Sequence, residues 1–555
     1  MIHRKSKLPV NPHPSQTNLA RRAFPDWLRL VLALAIITFA YLYRLDRPLL
    51  WADEAQTGIA ARNILHFGYP TAFDGRNAAV IDSGRTLDQQ LRYKQIPWLH
   101  FYVGATSLAI FGNDTAGLRT LFALIGVLAF FPIYAALKAR INFPGLLAAL
   151  VLLAPQTILF QRSARYYSIL IFLSAALLWH LSAEFKSQKT RGILAALIFV
   201  LLFHTHVAVA CGSGVAVLLF AAWFRRKLFW EYAAAVGAGF LSWLVWYQSL
   251  GSSLGQATTQ LSLLPHEFKH WLAIFSSGLV TTLLDFDLVG GLPIIFWAGW
   301  LSWLLWKKCP TLFAFSRDPL FAFIVINVVV QSAASAAVFG YETAYRYSML
   351  RYHAHLVVTL LLLGFLVLNS AVSQQRIFAL LALGLVGCNL LTVSFWLKPV
   401  ERTTAVSWWP PIYAEIFQPR DDAWDKAIEK LRAEPSTVIN HDQVILALPP
   451  WTQEVALFYL GDRYLVPPLF APDANAAEAG FHRAVGEATY ARLDAKPTWV
   501  LDSLDYYAAP SDYEMVARFP ASRQRPDDGS RPELTRHAFA GTNSARSVTL
   551  YRRRE

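Results

Sequence analysis

The sequence predicts a mainly α, polytopic transmembrane helical bundle of about eleven spans with juxtamembrane helices on its outer face, followed by a small soluble α/β domain. Three observations carry that reading. Of 555 residues, 55% are hydrophobic and only 16% charged, which is too apolar for an ordinary soluble chain. The 19 Trp and 22 Tyr suit a chain that crosses the headgroup region many times. The net charge of +13 is unevenly placed: residues 398–555 carry about −3 and the remainder about +16. The positive excess therefore belongs to the membrane part, which argues against a nucleic-acid partner.

A basic, Pro-rich cytosolic tail over residues 1–26 leads into the apolar stretch Trp27–Leu45, which no small-residue cleavage site follows, so it reads as a signal anchor. Apolar stretches bounded by charges or Pro/Gly clusters then predict spans near 27–45, 117–137, 143–160, 167–183, 192–206, 208–224, 228–248, 288–306, 320–338, 355–372 and 377–397. The segment Pro97–Gly112, at 16 residues, is short for a span and reads as interfacial. With that assignment Lys138/Arg140, Lys186/Lys189/Arg191, Arg225/Arg226/Lys227, Lys307/Lys308/Arg317 and Arg376 all fall on the side of the N-terminus, the positive-inside pattern. The long connections 46–116 and 249–287 then lie outside, where the chemistry is expected. Three cysteines, Cys211, Cys309 and Cys388, sit in or beside apolar segments and imply no disulfide framework. The compact inner loops suit a bacterial inner membrane.

After Leu397 the chain turns Pro-rich and charged, and residues 398–555 read as an extracytoplasmic α/β domain. Strand-like runs at Thr437–Ile439, Val444–Leu448 and Trp499–Leu501 alternate with helix-like stretches at 421–433, 452–459 and 475–493, and residues 527–555 read as partly strand.

The sharpest chemical feature is Trp51-Ala52-Asp53-Glu54-Ala55, directly after the first span, opening a helical pattern that runs to Gly68-Tyr69-Pro70. Adjacent carboxylates at the mouth of an apolar domain must be solvated, paired or used, because burial disfavours their charge. Taken alone the pair also fits a solvated helix start favoured by the dipole.

This acidic pair, the Gly68-x-Pro70 turn, Ile96-Pro97-Trp98-Leu99, Phe111-Gly112, Leu118-Arg119 and the loop Gln161-Arg162-Ser163-Ala164-Arg165-Tyr166-Tyr167 together resemble the C-type glycosyltransferases. Within them the likeness is to the protein O-mannosyltransferase and lipid A aminoarabinose transferase group, over residues 27 to about 183. The resemblance implies a transmembrane glycosyltransferase domain over 27–397, with its catalytic first outer loop at 46–116. It implies an inverting enzyme that moves a sugar from a polyprenyl-phosphate carrier to a lipid, glycan or protein acceptor on the outer face. Asp53 would be the catalytic base, with Glu54 supporting it. Lys94, Arg165, Arg346 and Arg351 are the candidates for binding the lipid phosphate, and Arg162 reads equally well as a headgroup anchor. One departure is that Tyr166-Tyr167-Ser168 offers no acid where the aminoarabinose transferases carry a second Asp.

The resemblance implies no required cofactor, and a divalent metal is left open. His266-Glu267-Phe268-Lys269-His270 matches the letters of a zinc-protease motif, but Pro265 and Lys269 suggest an interfacial helix start and no third ligand is evident. His204 and His206 read as interface residues, and His353 and His355, near Arg351, either as helix caps or as contacts to the carrier phosphate. The alternative from another class is a polytopic transporter or a lipid or glycan flippase. Against it, the ionisable residues gather at the outer end rather than at the midplane, and no internal repeat is evident.

Overall fold

In the computed structural model, residues 26–250 (except 48, 95 and 142), 319–338, 354–371 and a few positions to 382, 423–434, 443–448, 452–503, 511–520 and 547–554 are described. Helix α1 (Asp26–Leu42) is followed by α2 (Ala52–Phe67), α3 (Leu99–Phe111), α4 (Thr115–Leu128), α5 (Phe130–Leu137), α6 (Pro144–Leu152), α7 (Pro155–Gln161) and α8 (Tyr167–Ser182). Then come α9 (Gln188–Thr205), α10 (Val207–Phe224), α11 (Phe229–Ser249), α12 (Pro319–Val338) and α13 (Ala354–Ala371). Among the described residues, Thr115–Leu137, Val207–Phe224 and Arg226–Ser249 are long and apolar enough to cross a bilayer, and shorter apolar helices accompany them. By length and composition these helices suit a membrane location. The predicted span at 288–306, and most of that at 377–397, lies outside the described residues.

One predicted span is interrupted. The stretch 143–160 forms two helices because Pro155, which cannot donate a backbone hydrogen bond, starts a new helix after the extended residue Ala154. The span predicted at 117–137 runs through as Thr115–Leu137: Ala129, between α4 and α5, is itself helical, its N–H donating to Ile125 O and its carbonyl accepting from the Ile133 N–H. Neither helix of the first long connection is among those long and apolar enough to cross. At 13 residues α3 is about 20 Å long, short of the ~30 Å hydrocarbon thickness, and α2 carries Asp53, Glu54, Gln56, Arg62 and Asn63.

The C-terminal segment forms α14 (Ala423–Ala433), α15 (Gln453–Leu460), α16 (Asn475–Val485) and α17 (Glu487–Asp494) around a sheet of β1 (Ile445–Leu448), β2 (Trp499–Asp502), β3 (Tyr513–Pro520) and β4 (Ser547–Arg553). Sheet order is β1-β2-β4-β3. β1 and β2 are parallel with Ile445 opposite Trp499, and the other pairs are antiparallel. The stretch read as one helix over 475–493 is two, broken at Gly486, whose φ of +76° suits glycine. Strand β3 was not legible: its buried/exposed alternation is weak and a bulge interrupts it between Met515 and Ala517. The run Thr437–Ile439 lies outside the described residues.

This segment is docked on the helical part and shares its core. α15 is buried at every position and packs on α2, where Gly58 permits the approach: a Cβ there would lie 2.4 Å from the Phe458 ring. The Leu50 N–H donates to Tyr459 Oη at 2.9 Å, and Thr115 Oγ1 lies 2.6 Å from the same oxygen. Asn77 donates to Gly461 O and Tyr464 O and accepts from the Val466 N–H. Arg47 pairs with Asp425, and Arg85 with Asp473.

Candidate active site

The site grows from the first turn of α2. Trp51 is extended, so the helix starts abruptly at Ala52, and Asp53 and Glu54 occupy the first turn, where the helix dipole favours negative charge. At the far end Gly68, with φ +83°, closes the helix by donating to Ile64 O. Successive residues on a helix are 100° apart, so the two carboxylates face different surroundings.

Glu54 is completely buried. Its Oε1 accepts from Arg119 Nε at 2.9 Å and from the Ala164 N–H at 2.6 Å, and its Oε2 accepts from Arg119 Nη2 at 2.5 Å. Arg119, from the first turns of α4, spends its remaining donors on Leu45 O and Leu49 O. One ion pair thus joins the end of α1, the start of α2, α4 and the loop before α8, and its geometry is the two-pronged match of guanidinium to carboxylate.

The Asp53 side chain keeps 22% of its surface exposed, and its Oδ2 lies 3.8 Å from Arg165 Nη2. Arg165 is aimed by α2 itself: its Nη1 donates to Asp53 O at 3.3 Å, Gln56 Oε1 at 3.0 Å and Thr57 Oγ1 at 3.2 Å. The Arg165 side chain also lies 5.5 Å over the Tyr166 ring. Asp53, Gln56 and Thr57 are spaced i, i+3, i+4 and so form one polar stripe.

Two histidines complete the surroundings. His100, on α3, is fully buried with Nε2 3.5 Å from Arg165 Nη1. Burial, with Arg165 as a second cause, holds its pKa well below the ordinary imidazole range. His206 caps the start of α10 and packs its ring 5.0 Å from that of Tyr166. Through Tyr166, whose ring lies under the Arg165 side chain, it adjoins the site.

Of the predicted site residues, Asp53, Glu54 and Arg165 are brought together. Lys94 is half-buried in the loop before α3, its backbone N–H bonded to Thr86 O, and it forms no ion pair among the described residues. Arg346 and Arg351 lie outside the described residues, as do His266, His270 and His353. Arg162 is no headgroup anchor: it donates to four carbonyls at and just after the end of α1, Ala40 O, Tyr41 O, Tyr43 O and Arg44 O. Sequence reasoning missed Gln56, Thr57 and His100. The available signal was polar spacing: Gln56 and Thr57 follow Asp53 on one helix face, and His100 interrupts an apolar segment. Among the described residues no three His, Cys, Asp or Glu side chains cluster as metal ligands.

No family profile and no curated protein matches this sequence. Among solved structures, ArnT from Cupriavidus metallidurans bound to undecaprenyl phosphate aligns with a TM-score of 0.51 at 14% identity, covering 95% of this chain and 98% of that one. The fold is that of the C-type glycosyltransferases. The same ArnT in its apo state gives a TM-score of 0.46 at 14% identity over 95% and 98% of the two chains. The oligosaccharyltransferase of Archaeoglobus fulgidus gives 0.44 at 11% identity over 87% and 70%. The coverage means that the C-terminal segment is included in the C-type glycosyltransferase likeness to ArnT.

Proposed function

We propose that the protein is an inverting glycosyltransferase that moves a sugar from a polyprenyl-phosphate carrier to an acceptor hydroxyl on the outer face of the membrane. The acceptor is a lipid, a glycan or a protein. The observation that carries this reading is the divergent fate of two adjacent carboxylates. Glu54 is buried and fully bonded, whereas Asp53 stays partly exposed beside an arginine that neighbouring side chains hold in place. Neighbouring acids in unlike environments take unlike tasks, one structural and one chemical.

In the proposed reaction the Asp53 carboxylate accepts the proton of the acceptor hydroxyl as its oxygen attacks C1 of the sugar. The C1–O bond to the carrier breaks, its electron pair leaves with the phosphate, and the anomeric centre inverts. The leaving phosphate needs positive charge more than it needs a proton, and Arg165 supplies that charge next to the base. Lys94, Arg346 and Arg351 are proposed to extend the cationic surface for the carrier. The fold likeness to a protein crystallised with undecaprenyl phosphate supports a polyprenyl-phosphate donor. The membrane is proposed to be a bacterial inner membrane with the N-terminus inside and the C-terminal domain outside.

The test is to reconstitute the purified protein in liposomes with polyprenyl-phosphate donors labelled in the sugar. Label passing to membrane glycoconjugates, with carrier phosphate released, supports the proposal. Label that crosses the bilayer still attached to its carrier would instead make the protein a flippase.

A further inference from the structure

Nine residues beyond Asp53, α2 has made two and a half turns, so Arg62 stands on the face opposite Asp53 and about 13 Å further along the axis. On that face a separate cleft of about 420 Å³ opens between α2, the turn at Asp74–Asn77 and the docked α15. Its polar lining includes Arg62, Asp74, Arg76, Asn113, Arg432 and Asp462. The volume falls at the small-ligand end of binding sites.

The balance of charge favours an anion. Among the described residues Arg62 hydrogen-bonds only to neutral oxygens, Asn113 Oδ1 and Phe458 O, each at 2.7 Å, and lies 3.7 Å over the Phe458 ring. Arg432 likewise donates to a neutral carbonyl, Tyr459 O. The carboxylate of Asp74 is occupied by backbone, its Oδ1 accepting from the N–H groups of Arg76 and Asn77. Desolvation lowers the Arg62 pKa to about 10 and raises that of Asp74, so burial penalises both charges. Arg62, Arg76 and Arg432 thus line the cleft beside two carboxylates, and one of those already accepts from backbone. A bare phosphate would leave most of the volume empty, whereas Asp462 and Asn113 provide acceptors and donors suited to ring hydroxyls.

We propose that this cleft binds an anionic saccharide unit, a sugar bearing a phosphate or a carboxylate, between α2 and the C-terminal segment. The oxyanion is held by the arginines and the hydroxyls by Asp462 and Asn113. That the anion arrives on a sugar rests on the glycosyl-transfer reading; the anion site itself does not. Because Arg62 and Phe458 also join the segment to α2, occupancy of the cleft reinforces that docking.

The test is isothermal titration calorimetry on the full-length protein in detergent micelles, with glucose 6-phosphate, glucuronate, glucose and inorganic phosphate as separate titrants. At least one charged sugar is expected to bind, with glucose and inorganic phosphate each about tenfold weaker or more, and the better charged sugar identifies the oxyanion. Arg76→Gln and Arg432→Gln, both checked for unaltered thermal unfolding, are expected to lose about tenfold in affinity, while Asp53→Asn keeps full affinity. Glucose binding as tightly as the charged sugars, inorganic phosphate binding as tightly as glucose 6-phosphate, or unchanged affinity in both arginine variants would overturn the proposal. So would loss of binding in Asp53→Asn, because the ligand would then belong to the Asp53 site. Binding with this pattern in a protein that transfers no sugar would refute the proposed reaction and leave the anion site standing.

Discussion

Glu54 and Arg119 are joined side-on, Nε to Oε1 and Nη2 to Oε2, with neither side chain more than 5% exposed. A buried pair of this kind adds little over apolar residues of the same shape, but removing one member leaves an uncompensated charge at a cost of about 3–5 kcal/mol. Arg119→Met and Glu54→Gln are each expected to destabilise the protein by about that amount, and the double variant by clearly less than the sum. Thermal unfolding in detergent checks this. Single variants within about 0.5 kcal/mol of the parent would show that the pair does not hold the start of α2.

Arg165 reaches Asp53 O, Gln56 and Thr57 with one nitrogen and the Asp53 carboxylate with another. A lysine has no such planar fork. Arg165→Lys is therefore expected to fold normally and to lose on the order of 10²-fold in transfer rate, the scale of removing one preorganised electrostatic contact. Steady-state transfer assays read it, and a rate within about threefold of the parent would remove Arg165 from the site.

His100 gives the site a pH dependence with a definite sign. Its folded pKa is depressed by burial, so between that value and the unfolded value of about 6.5 the unfolded chain binds more protons. Stability is then full above about pH 6.5 and falls as the medium is acidified through this window. Protonation would also put a second cation 3.5 Å from Arg165 Nη1. His100→Gln is expected to flatten the decline in melting temperature between about pH 7 and pH 5. An equal decline in parent and variant would place the titrating group elsewhere.

The docking of the C-terminal segment rests on Gly58 and Asn77. Gly58→Val drives a side chain into the Phe458 ring, and Asn77→Ala leaves the Val466 N–H and two carbonyls, Gly461 O and Tyr464 O, without their partner. Losing the buried hydrogen bonds of Asn77 is expected to cost about 1–3 kcal/mol. Limited proteolysis should release a C-terminal fragment from either variant sooner than from the parent. Unchanged digestion would mean that the segment is held elsewhere.

Hydropathy made the helices legible: α1, α8 to α11, α12 and α13 lie where apolar runs and their charged ends put them. The local rule failed where proline acts, since Pro155 splits an apolar run that is long enough to cross. At the site, Asp53 and Glu54 were legible as a pair, but their separate fates were not. Those depend on Arg119, 65 residues from Glu54, and on the backbone of Ala164, 110 residues away. Arg162 and Arg165, three residues apart, looked alike in sequence, yet one closes the end of α1 and the other faces Asp53. The C-terminal segment read as a soluble domain because it turns Pro-rich and charged and holds no apolar run long enough to cross. Its helix α15 is buried at every position, Gln453 and Glu454 included, and packs on α2, a contact no local pattern announces.

The most direct test of the account compares Asp53→Asn with the parent in transfer of labelled sugar from a polyprenyl-phosphate carrier, at matched expression and equal melting temperature. The substitution keeps the shape of the side chain and removes its basicity, so transfer is expected to fall by at least about 10²-fold, the low end of a general base's contribution. Transfer at the parent's rate from a folded Asp53→Asn protein would contradict the assignment of Asp53 as the base.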